Sequence, residues 1–193
     1  MNREDFLARL RARPAGAHLP EEGEAPPRPT LPEDLCVAFC EAARATGSRT
    51  LRGDKAAIGR ALREFSRGEA VLAQEAEELA TLLDGVPLLP PHTDPFTADW
   101  GLSLAEAGLA HTGSACIRRE KGRSLLASLV PPRAAIVVRA KTLVWELGDY
   151  LQEAPAHGTV HVVSGPSRSA DIENDLSIGV HGPGEVLYLL WEE

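Results

Sequence analysis

One continuous apolar run constrains this sequence most: AAIVVR, residues 134–139, with no polar residue before Arg139. It lacks the alternation of a half-exposed strand and reads as a strand buried on both faces, the position of a strand in a parallel sheet covered by helices. Other strand candidates surround it: Ser48–Leu51, Ala70–Ala73, Thr159–Val163 (TVHVV) and Val186–Trp191 (VLYLLW). Trp100–Leu104, Leu109–Ile117 and Leu125–Val130 are apolar runs separated by glycine-containing turns and read as antiparallel or mixed strands.

Helical periodicity fills the first half. Thr30-Leu-Pro-Glu33 resembles a capping box that opens a helix to Thr46, with Leu35, Cys36, Phe39, Cys40 and Ala43 as its apolar stripe. Gly47 ends it. Asp54 caps a second helix with Ile58, Ala61, Leu62 and Phe65 facing inward, and Gly68 stops it. Gln74–Leu83 reads as a third helix and Leu143–Leu151 as a later one. This alternation predicts an α/β fold, a mixed sheet flanked by helices. The compact domain spans 31–193. Residues 1–30 form an arm: a helix over 2–12, then a tether in which Pro14–Pro32 holds six of the fifteen prolines. A disordered tail fits that composition equally well.

Charge narrows the partners. The formal net charge is −8, which argues against nucleic acid and anionic membrane as ligands. The longest stretch without a formal charge, Ala154–Ser167, is too short and too polar to cross a bilayer. The start, MNREDFLARLRARP, has no apolar secretory core, so the cytoplasm is the expected compartment. Three cysteines make an odd, sparse set that suits reduced thiols. Cys36 and Cys40 lie in an apolar stripe and read as packed thiols rather than metal ligands. No phosphate-binding glycine loop, H-E-x-x-H, C-x-x-C or G-x-S-x-G is present. Three thiols cannot supply the four of an ordinary iron–sulfur cluster, so no cofactor or metal is expected in this chain.

The informative stretch is residues 160–191. A strand runs into Ser164-Gly165-Pro166-Ser167-Arg168-Ser169, and Ser169 is placed to cap a short helix over Ala170–Asn174. Such a helix start offers unpaired N–H groups to an anion. Ser164, Ser167 and Ser169 add hydroxyls, and Arg168 adds a fork suited to a carboxylate or phosphate. Arg168 is the one cation among nine carboxylates from residue 142 onward. It fits equally a turn closed by an ion pair to Asp171 or Asp175. Gly182 and His181 sit in a second glycine-rich loop, where His181 suits a proton donor or a backbone-bonded loop residue. A third loop holds Glu106, a candidate general base, and Thr112, Gly113 and Ser114, a candidate anion nest. Arg118, Arg119, Lys121 and Arg123 read as a solvated hairpin tip, or as a patch that steers an anionic ligand or docks an acidic partner.

These residues resemble the lactate-utilization protein C family, the LUD-domain proteins. Gly165–Glu173 (GPSRSADIE) and Gly179–Pro183 (GVHGP) are similar to its C-terminal signature. AEAGLAHTGS at 105–114 and Ser128–Pro132 are similar to two further segments, so the resemblance covers about residues 98–193. It implies a fold like the ribose-5-phosphate isomerase, CoA-transferase and folate cyclo-ligase group. It also implies a part in oxidising L-lactate to pyruvate beside two partner proteins, one carrying cysteine-rich iron–sulfur motifs. On that expectation the chain is an accessory or substrate-organising subunit without a cluster of its own. A stand-alone enzyme or binder of a small carboxylate or phosphate, and an interaction module without ligand, stay open beside it.

Overall fold

In a computed structural model of the chain, residues 4–5, 29–73, 77–90, 93–119, 125–154, 158–170 and 176–193 are described. The chain divides into two compact units, Met1–Leu31 and Pro32–Glu193. Of the first, Glu4 and Asp5 are helical and exposed, and the rest of the expected helix and most of the Pro-rich arm lie outside the described residues.

The second unit is a layered α/β domain. Its main sheet joins β1 (Arg49–Gly53), β2 (Val71–Ala73), β3 (Trp100–Leu104), β6 (Arg133–Arg139) and β11 (Glu185–Trp191) in the order β1-β11-β6-β3-β2, every pair parallel. A second sheet runs β7 (Leu143–Val144), β4 (Ala107–Leu109), β5 (Ser114–Arg119), β8 (Thr159–Val163), with antiparallel and parallel pairs. The α/β expectation is met, with the mixed character confined to the second sheet.

Strand periodicity sorts the core. Ala135 and Val137 of β6, with Leu187 and Leu189 of β11, face helix α2 (Lys55–Ser66) through Ile58, Leu62 and Phe65. Ile136, Val138, Val186, Tyr188 and Leu190 point the other way, onto α1 (Leu35–Ala45) and the second sheet. The far side of that sheet, Leu109 and Cys116, is covered by Tyr150 of α5 (Leu147–Glu153). The run 134–138 is buried completely, as its composition demands.

Several boundaries differ from the sequence expectation. The first helix is capped by Asp34, not by the Thr30/Glu33 box: the Asp34 carboxylate accepts from Cys36 N at 2.7 Å and Val37 N at 3.2 Å. Of the expected third helix, Glu77–Ala80 is helical (α3) and turns follow it, while residues 74–76 lie outside the described residues. Leu125–Val130 is not a strand but one helical turn, α4 (Leu126–Leu129). Short apolar runs do not reveal their period, and here the Ala127 carbonyl fills the space that a side chain at Gly101 would need. The expected helix 143–151 splits: Leu143–Val144 pairs with β4, and α5 begins after Glu146, whose N–H donates to Asp149 at 3.0 Å.

Candidate functional site

The C-terminal end of α1 is the meeting point. Thr46 ends the helix and its hydroxyl donates to the Ala43 carbonyl at 2.8 Å. Gly47 follows at φ 89°. A β-carbon at residue 47 would collide with the Arg168 guanidinium, so that group lies directly against the glycine. Gly113, at φ 60°, packs on the backbone of Ala42 and Ala43 of the same helix end. Gly165, at φ 94°, comes close from another side: a β-carbon there would be 2.5 Å from Thr46 Oγ1 and 3.0 Å from Ser48 Oγ. Three glycines thus let two segments, the Gly113 loop and residues 165–168, approach one helix terminus.

Hydroxyls link those segments. Ser164 Oγ and Ser114 Oγ are 2.8 Å apart, as are Ser114 Oγ and Thr112 Oγ1. Tyr188, fully buried in β11, donates to the Val163 carbonyl at 2.8 Å and accepts from Gly165 N at 3.1 Å. Burial pushes the phenol pKa up and keeps it a donor. The 165–167 turn then interlocks with the loop before β11. Ser167 N donates to the Pro183 carbonyl at 2.8 Å, Gly179 N to the Ser167 carbonyl at 2.9 Å, and His181 N to Ser167 Oγ at 3.3 Å. Gly182 lies against Ser167.

The structure therefore brings Thr112, Gly113, Ser114, Ser164 and Gly165 together, sets Arg168 on the same helix end, and joins Ser167, His181 and Gly182 by a shared turn. Arg168 is exposed, and no carboxylate of the described residues pairs with it. Asp171 and Asp175, its two candidate partners, lie outside the described residues. The His181 side chain is exposed too.

Ser169 does not cap a helix: β9 (Arg168–Ala170) pairs antiparallel with β10 (Leu176–Ile178), Ser169 opposite Ser177. The strand ladder uses the backbone that a helix start would have offered to an anion. Glu106, the candidate general base of the third loop, has its own set of contacts. Its Oε2 accepts from Arg118 Nε at 2.7 Å and from the Tyr150 hydroxyl at 2.6 Å, and Arg118 Nη2 also donates to Tyr150 at 2.7 Å. A carboxylate held by a guanidinium and a phenol is a fixed acceptor more than a poised base. Burial, and then the bond to Glu106, push the Tyr150 pKa up. Of the basic turn, Arg118 is not solvated but buried, its side chain 6% exposed, whereas Arg119 is exposed and Lys121 and Arg123 lie outside the described residues.

Residues missed from the sequence are Thr46, Ser48 and Tyr188. Thr46-Gly47-Ser48 carried a faint signal as hydroxyls flanking a helix-ending glycine. Tyr188 carried none, being one apolar letter in a buried strand. Among the described residues no group of three His, Cys, Asp or Glu could hold a metal, and no helix is long and apolar enough to cross a membrane.

Comparison with known proteins agrees with this architecture. The LUD domain profile matches residues 92–191, and the chain belongs to the LUD-domain family. It is 27% identical to lactate utilization protein C of Bacillus subtilis, over 98% of this chain and 95% of that one. It is 33% identical to lactate utilization protein C of Oceanobacillus iheyensis over 101 residues, 48% of this chain and 43% of that protein. In that second comparison the matched part spans under half of the relative. A crystal structure of a DUF162 family protein from Deinococcus radiodurans has the same fold, with a TM-score of 0.66 at 16% identity, covering 84% of this chain and 99% of that one.

Proposed function

We propose that this protein serves lactate utilization as a substrate-organising subunit of an iron–sulfur-dependent L-lactate oxidation system. In this reading Arg168 binds the lactate carboxylate through its planar fork, and Ser164 and its hydroxyl neighbours offer hydrogen bonds to the rest of the molecule. Oxidation to pyruvate removes two electrons and two protons. The electrons pass to iron–sulfur clusters on cysteine-rich partner proteins, because this chain has too few thiols for one. His181, exposed beside Ser167, is the nearby group suited to a proton.

The observation that carries the reading is the setting of Arg168: exposed, unpaired among the described residues, and laid on Gly47 beside a cluster of hydroxyls. The names of the relatives supply the substrate. The test is thermal unfolding of the full chain in increasing L-lactate, since a ligand of the folded state alone stabilises by RT ln(1 + [L]/Kd). The melting temperature should rise with lactate in the wild type, less in Arg168→Lys, and not in Arg168→Ala. An equal rise in all three, or none in the wild type, rejects the site.

A further inference from the structure

A cavity of about 290 Å³ opens at the carboxyl ends of β3 and β6. Ligands of open parallel sheets bind outside the carboxyl ends of the strands. Glu106 enters the wall just after β3, and Lys141 and Thr142 just after β6. Tyr150 and Glu153 come from α5, and Val144 gives an apolar side. The volume is near the small end of the ligand-pocket range, about 300–1,000 Å³, so the occupant is compact.

The charges choose its class. The Lys141 ammonium is already paired with Glu193. The buried Arg118 guanidinium and the Tyr150 hydroxyl both donate to a single oxygen of Glu106, Oε2. The neighbouring cations are thus committed to carboxylates. The other oxygen of Glu106 and the whole Glu153 carboxylate have no partner among the described residues. Among the described residues an anion entering here meets net negative charge and no unpaired cation. A cation meets two open acceptors and an apolar wall.

We propose that this cavity binds a small organic amine, with its ammonium recognised by Glu106 and Glu153 and its carbon chain lying on Val144. The site takes the opposite charge to the one assigned to Arg168 and does not depend on it.

The test is isothermal titration of the full chain with putrescine, a four-carbon diamine, and with glycerol as the neutral comparator. Putrescine should bind, more weakly at 0.5 M than at 0.05 M NaCl, and glycerol should not. Glu153→Gln, on the exposed side, should weaken putrescine about fivefold, the weight of one exposed charge pair. Lys141→Gln should tighten it, because a competing cation is gone. A merely structural lysine would not give that result. Ala154→Trp should fill the cavity and abolish binding, with folding checked by circular dichroism. No heat with putrescine, equal binding of glycerol, or binding unmoved by Glu153→Gln overturns the proposal.

Discussion

Arg118 and Tyr150, 32 residues apart in sequence, meet at 2.7 Å and share one oxygen of Glu106. The three tie β5, α5 and the loop after β3 into a closed set of hydrogen bonds. Arg118→Leu would leave the Glu106 carboxylate unpaired against a packed wall. It should cost about 2 kcal/mol of unfolding free energy, less than a fully buried pair because Glu106 is 31% exposed. Tyr150→Phe keeps the ion pair and should cost about 1 kcal/mol. Urea unfolding of both variants checks the order.

Gly113→Ala should be far more damaging than its size suggests. The new methyl group would meet the backbone of Ala42 and Ala43 from a left-handed residue at φ 60°. The expected loss is about 3 kcal/mol or more, combining overpacking and backbone strain. Thermal melts of this variant beside Gly68→Ala, where nothing lies within 4 Å, separate strain from contact.

Tyr188→Phe removes a buried donor to Val163 and the acceptor for Gly165 N. It should cost about 1–3 kcal/mol and weaken lactate binding by loosening the Ser164–Gly165 turn. Denaturant unfolding and lactate titration on the same sample measure both effects.

The ionisable groups predict two limits of stability. Burial pushes the Cys116 thiol up to about 11 from 9.0. Between those values the unfolded chain has lost a proton that the folded chain keeps, so stability falls as pH rises from 9. His161 moves the other way. Burial holds its pKa below 6.5, so the unfolded chain takes up a proton first and stability falls as pH drops below about 6.5. Urea midpoints across pH 5–11 should show both flanks. Native thiol labelling at pH 8 should modify the half-buried Cys36 before the buried Cys40 and Cys116.

Arg168→Ala should leave unfolding free energy within about 0.5 kcal/mol of wild type, as for an exposed residue without an ion-pair partner among the described residues. This lets a functional loss be read as loss of the site and not of the fold.

Much of the fold was legible because its signals are local. The apolar run 134–138 demanded burial, and the stripe through Ile58, Leu62 and Phe65 demanded a helix. The Asp34 cap and the helical turn within Leu125–Val130 are not legible in sequence, because capping depends on which carboxylate reaches the free N–H groups and a four-residue helical turn shows no period. The site was legible in parts. Ser164, Gly165, Arg168, Thr112 and Ser114 stood out by residue type, and the structure collects them at one helix end. Thr46, Ser48 and Tyr188 enter only through tertiary approach at Gly47 and Gly165. Glu106 went elsewhere because Arg118 and Tyr150, 12 and 44 residues away, claim its carboxylate.

The proposed role, organising lactate for oxidation through Arg168, makes this chain necessary for turnover. The most direct measurement is lactate-dependent dye reduction by iron–sulfur lactate-utilization proteins, with this chain, without it, and with Arg168→Ala. Activity should require the chain and fall with the folded variant. Equal activity with and without the chain would contradict that role.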